Sequence, residues 1–197
     1  MGWYTANAVI KNKLEFVYWK IGNYLEYISC CYRKDLNKMS KYSLNIAIKY
    51  GETLRKFSNI SEAENYFISY RNDLLSRVSA ISTQEYGFFP DYTIESLKKL
   101  EKWYFDLYEK KSFAKLGLTQ KEFESIMSVY WGEVVIKNNK DAKWVVEEYA
   151  FSQNKYQLLV NKGFCNIAVE NKFRDLYNKQ NNKRRNLLFR EYNKYYK

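Results

Sequence analysis

The sequence predicts an α+β fold that is predominantly helical: an N-terminal antiparallel helical bundle, then a small antiparallel β-hairpin or sheet in the C-terminal half. Three observations carry this. Apolar residues recur at steps of three and four through most of the chain. Beyond Asn138 the period becomes strand-like. Between Gln84 and Thr93 lie Gly87 and Pro90, the only proline, which mark the best internal boundary. The organisation read from these is a helical bundle over residues 1–83 and an α+β part with a basic helical tail over 84–197, together one compact domain.

Ile10, Leu14, Val17, Ile21, Tyr24, Ile28 and Cys31 alternate steps of four and three, a helix with a heptad seam. Phe16, Trp19, Leu25 and Tyr27 flank it. A core helix of a bundle is the favoured reading and a dimer seam the alternative, so the chain is expected as a monomer or a homodimer. A second helix is expected near 43–57, with Leu44, Ala47, Ile48, Gly51 and Leu54 on one face. A third opens with a capping box at Ser61–Glu64 and continues through Phe67, Tyr70, Leu74, Val78 and Ile81. Around the break, Phe88, Phe89 and Tyr92 suggest a packed connection. Leu97, Leu100, Tyr104 and Leu107 predict a helix running to about Lys111. Thr119-Gln120-Lys121-Glu122 is a second capping box, followed by Phe123, Ile126, Met127, Tyr130 and Val134. Lys143–Tyr149 and Tyr156–Val160, joined by Ser152-Gln153-Asn154-Lys155, predict a hairpin. Residues 166–178 and 184–196 read as helical again. In the last of these, Leu188, Tyr192 and Tyr195 form a stripe expected to dock the helix while Arg184, Arg185 and Lys194 project outward.

Composition excludes whole classes of chemistry. The chain has 197 residues and no histidine, which removes Ser-His-Asp and Cys-His catalysis and every site that needs an imidazole ligand. A chain of this length buries roughly 70% of its unfolded surface and needs no disulfide or metal staple. Cys30, Cys31 and Cys165 have neither a disulfide framework nor CxxC spacing. They read as small buried hydrophobes in a reducing cytoplasm. The start, Met1-Gly2-Trp3-Tyr4-Thr5-Ala6-Asn7, has no basic n-region or apolar core of a signal peptide, and no apolar run is long enough for a membrane span. With seven glycines and no phosphate-loop pattern, no cofactor is expected. Glu147 and Glu148 are adjacent on a strand and point to opposite faces, so they make no catalytic dyad. Glu133 is expected to be solvated or salt-bridged, and Gly132 to let the sheet approach its helix closely. The expectation is a protein that is not an enzyme.

Net charge is +11. Lys, Asn, Tyr and Ile make up 76 residues, the signature of an AT-rich genome, and Lys outnumbers Arg 25 to 8. Composition bias therefore explains much of the charge, because fork-like recognition of phosphate and guanine favours Arg. The distribution is more informative: residues 179–197 alone carry +6. Lys183, Arg184, Arg185, Arg190 and Lys194 are the candidate partner-binding residues. The five tryptophans and 20 tyrosines fall mostly at helical spacing and read as core.

Asp91-Tyr92-Thr93-Ile94-Glu95-Ser96-Leu97 begins a helix in a "D-aromatic-S/T-x-E-S-L" pattern. Trp131-Gly132-Glu133-Val134-Val135, followed by Lys143-Trp144-Val145-Val146-Glu147, pairs a "GE" helix with a "W" strand. Over residues 91–148 this resembles uncharacterised bacterial families that include small immunity-type proteins, which neutralise a toxin by binding it. Where such relatives have a Gly-Gly turn before the Trp strand, this chain has Asn139-Lys140-Asp141-Ala142. The resemblance implies a non-enzymatic protein-binding function, an antidote that occludes a toxin or another protein partner. The alternative is a nucleic-acid-binding accessory protein that uses the basic tail.

Overall fold

A computed structural model describes residues 41–82, 88–163, 165–178 and 185–196. The expected first helix, with Cys30 and Cys31, lies outside them. Five α-helices are described: α1 (Lys41–Thr53), α2 (Ile60–Ser82), α3 (Ser96–Glu109), α4 (Gln120–Asn138) and α5 (Leu187–Tyr196). Strands β1 (Ala142–Glu148), β2 (Tyr156–Lys162) and β3 (Cys165–Ala168) form one antiparallel sheet in the order β1-β2-β3. The fold is the expected helix-dominated α+β. Among the described residues, no helix is long and apolar enough to cross a membrane.

The chain divides into two units. Among the described residues, the first comprises 41–58 with Glu148–Tyr156. In it, Gly51 of α1 meets the Tyr149 ring and Ser152 so closely that a Cβ would stand 2.9 Å from both. The Tyr149 hydroxyl donates to the Ala47 carbonyl at 3.0 Å, and the Lys155 ammonium donates to the Leu54 carbonyl. The Phe57 N–H reaches the Asn154 carbonyl at 2.9 Å. Lys155 also donates to the Glu52 carbonyl at 3.3 Å, one of those that the end of α1 leaves without a helical partner.

The second unit, Asn59–Glu147 with Gln157–Lys197, holds the main core. Its axis is α4, which packs against α2, α3 and α5. Ile126 through Val135 are buried without a break, so the helix is enclosed on every side, beyond the single inward face read from its apolar period. Its start is the expected capping box: Thr119 Oγ1 accepts from the Glu122 N–H, and Glu122 accepts from the Thr119 N–H at 2.8 Å. Gly132 also matches expectation, since a Cβ there would lie 2.2 Å from the Trp144 ring.

Two local expectations are corrected. The capping box at Ser61 is not formed: α2 begins at Ile60, and Asn59 caps it by accepting the Glu62 N–H at 2.9 Å. An Asn cap two residues upstream takes the donor that starts the helix. The helix expected over 166–178 is instead strand β3, a run of turns and a short 3₁₀ turn at Leu176–Asn178. Leu159 pairs with Ala168 and Lys162 with Cys165, so this stretch completes the sheet. Asn171 and Asp175 then take positive φ (56° and 52°), which a right-handed helix does not tolerate. The segment is pinned to α4 by buried acceptors: the Asp175 N–H donates to Glu124 Oε2 at 3.1 Å, and the Phe173 N–H to Ser128 Oγ at 3.4 Å.

Candidate functional site

The buried carboxylates identify what is structural. Glu124 accepts from the Tyr104 hydroxyl at 2.7 Å, the Gln120 amide at 2.8 Å and the Asp175 N–H. Glu101, on α3, accepts the Leu188 N–H at 2.9 Å and so caps α5 from a different helix. Burial pushes its carboxyl up to about 7, with the N–H groups of Leu188, Leu187 and Asn186 pulling the other way. Each carboxylate is occupied by its own donors. Among the described residues no group of three or more His, Cys, Asp or Glu side chains is placed to hold a metal ion. Cys165 lies half-buried on β3.

The sequence-derived candidates lie on and before α5. Leu188, Tyr192 and Tyr196 are buried, so the helix docks by an apolar stripe, with Tyr196 rather than Tyr195 as its third member. The Trp131 indole donates to the Leu188 carbonyl at 3.1 Å. Arg185, Arg190 and Lys194 are exposed, the last two one turn apart. Lys194 also donates to the Tyr195 hydroxyl at 3.0 Å. Lys183 and Arg184 lie outside the described residues.

A larger concave feature of this unit lies elsewhere. A groove of about 450 Å³ runs between α2 and β1, lined on the helix side by Glu64, Phe67, Ile68 and Arg71 and on the strand side by Lys143, Trp144, Val145 and Val146. Its helical wall carries Ile68, 54% exposed, with Ile60 at 49% two turns earlier. Isoleucines that open to water on one helix are the residues a partner would cover.

The floor is a fixed polar cluster. Glu133 Oε2 accepts from the Trp144 indole N–H at 3.1 Å and pairs with Arg71 Nε at 3.5 Å. The Arg71 guanidinium lies 5.7 Å over the Trp144 ring. This matches the salt-bridged role expected of Glu133. Arg71, Glu133 and Trp144 hold one another, and Gly132 gives the Trp144 ring its room. The cluster therefore sets the distance between α2 and the strand. Nearby, burial pushes the Glu170 carboxyl up to about 7, against the pull of the Leu158 N–H, and its Oε2 has no hydrogen-bond partner. A smaller crevice of about 120 Å³, lined by Lys121, Glu124, Ser125, Asn171 and Arg174, lies by the carboxylate that tethers the turns after β3.

The groove was not read from the sequence. The strand was, and so was the close approach of the sheet to its helix at Gly132. What had no signal was that β1 would be the outer strand and that Ile68 would stand beside it.

The model of the family described as "Uncharacterised protein YwmA" matches residues 56–196, and the chain belongs to that family. A Bacillus subtilis (strain 168) protein described as "Uncharacterized protein YwmA" is 34% identical over 110 residues, covering 56% of this chain and 69% of the relative. No solved structure matches. The family description names no activity. The matched stretch takes in the whole second unit except its last residue, and with it the groove, α5 and the buried carboxylates.

Proposed function

We propose that this YwmA-family chain is a non-enzymatic cytoplasmic binding protein that holds a protein partner in the groove between α2 and β1. The observation that supports it most is the groove: about 450 Å³, with an exposed isoleucine on one wall and valines on the other. Sites of that size and lining are built to take side chains. The floor supports the same reading, because Arg71 is ion-paired with Glu133, which also accepts from the Trp144 indole, so the cluster is a packing arrangement of paired groups. The narrower version, an immunity-type antidote whose partner is a toxin, draws on the resemblance over residues 91–148.

The test is selection of a random peptide library displayed on phage, run in parallel on the full chain and on Ile68→Glu. Wild type should enrich related apolar peptides, and the variant should bind them about tenfold more weakly, a loss of about 1.4 kcal/mol. No enrichment, or equal binding by a variant with unchanged circular dichroism, overturns the reading.

A second reading, nucleic-acid binding through the tail, draws on the exposure of Arg185, Arg190 and Lys194. Binding of random single- and double-stranded nucleic acid that falls by orders of magnitude between about 50 and 200 mM salt, and is absent from a chain ending at Asn178, favours it. No binding at low salt removes it.

A further inference from the structure

We propose, resting on the protein-binding reading, that the partner enters as an extended segment added to the edge of β1, with an acidic residue set against Lys143. The sheet order β1-β2-β3 puts β1 outermost, and among the described residues no strand lies beyond it. Every residue of β1 retains some exposure, whereas Tyr156 through Val160 of β2 are all buried.

The lining of the groove shows where it runs relative to the strand. Successive side chains of a strand point to opposite faces, so a groove lying over one face is lined by every second residue. Here four consecutive residues, Lys143, Trp144, Val145 and Val146, line it. The groove therefore runs along the edge of the strand, where the backbone N–H and C=O groups that do not face β2 are within reach. Leu158 of β2 shows that it also reaches the inner face of the sheet.

The two walls then have different chemistry. The α2 backbone is satisfied within its own helix, so that wall offers side chains alone: Ile68, Phe67 and Asn65. The β1 wall offers a hydrogen-bonding template. An incoming strand gains affinity from main-chain bonds to β1 and selectivity from alternate side chains set against α2. Edge strands are usually guarded by charge. On β1 the exposed charges are Lys143 and Glu147, with the apolar Val145-Val146 pair between them.

Charge selects the partner's character. The groove is lined by Lys143 and Arg71 against one acidic residue, Glu64. Because Arg71 is already paired with Glu133, Lys143, exposed on the strand wall opposite Glu64, is the cation that an incoming strand meets first. An acidic residue flanking the apolar positions of the incoming segment complements it.

The experiment takes the tightest peptide from the library selection, synthesised with blocked ends and with each backbone nitrogen methylated in turn, and titrates it against the full chain. N-methylation removes a donor and leaves the side chain in place. Strand addition predicts that alternate positions lose about tenfold or more while those between are tolerated, a period of two. Uniform tolerance overturns strand addition and leaves the protein-binding reading standing, whereas a library that yields no peptide sinks both. Lys143→Glu, at an exposed position, should fold normally and weaken acidic peptides by about three- to tenfold, with the difference shrinking in salt. Equal affinity removes the acidic element. A concentration-dependent dimer in light scattering that Ile68→Glu turns into a monomer means that a second copy occupies the groove, and the proposal fails.

Discussion

Helices α4 and α5 belong to the same core and are held in opposite ways. α4 is enclosed all round, so every polar side chain it carries inward has a partner brought to it: Tyr104 and Asp175 for Glu124, Phe173 for Ser128, Trp144 and Arg71 for Glu133. α5 buries one stripe and leaves its cations in water. It is anchored at its first turn by the Glu101 carboxylate and the Trp131 indole. An enclosed helix organises what surrounds it, while an amphipathic one is positioned by what it lands on. Damage to α4 should therefore spread to the whole unit, and damage at the Glu101 anchor of α5 should stay small.

Trp131→Ala tests the first half most severely. The side chain is fully buried and its indole bonds α5. The expected loss is about 3–5 kcal/mol, read from urea denaturation, with loss of the cooperative transition as the extreme result. A change below about 1 kcal/mol would mean that α4 is not the organising element.

Gly132→Ala should cost less, about 1–3 kcal/mol, because the added methyl forces the Trp144 ring to shift. Its sharper consequence is functional. Moving Trp144 disturbs the Arg71–Glu133–Trp144 floor, so peptide affinity should fall even under conditions where the variant remains folded. Unchanged affinity would separate the floor from the groove.

The smallest effect belongs to the α5 anchor and depends on pH. The Glu101 and Glu170 carboxyls are raised from 4.5 to about 7 in the folded chain. The folded state then binds more protons than the unfolded chain between those values, so stability is fully present below about 4.5 and is lost as pH rises through about 7. Urea midpoints should therefore climb as pH is lowered from about 8 to about 5. Glu101→Gln keeps an oxygen for the Leu188 N–H and removes the charge, so its pH dependence should be visibly flatter. An identical slope in the variant would show that Glu101 does not carry it.

Much of this molecule was legible from local signals. The Thr119 capping box, the helix from Ser96 and the hairpin were each set by residues within a few positions of one another. The close approach of the sheet at Gly132 was readable because a glycine inside an apolar helix admits a near neighbour, whereas only the structure showed that the neighbour is Trp144. The stretch after β2 was misread as helical because its period is short and its decisive features are non-local. It becomes a strand only by pairing with β2, and it stays non-helical through backbone turns at Asn171 and Asp175 held by Glu124 and Ser128. The Asn59 cap shows the same weakness on a smaller scale, since two overlapping patterns, Asn59–Glu62 and Ser61–Glu64, competed for one helix start.

By itself the sequence determined the class of fold, the core helices and the exclusion of imidazole chemistry, because these depend on composition and on periods that each element carries internally. Only the tertiary structure decided that α4 is enclosed, that Glu101 caps a helix 87 residues away, and that β1 is the outer strand among the described residues, beside Ile68. Partners of buried polar groups and the order of strands in a sheet are relations between distant segments, and no local pattern encodes which distant segment will arrive.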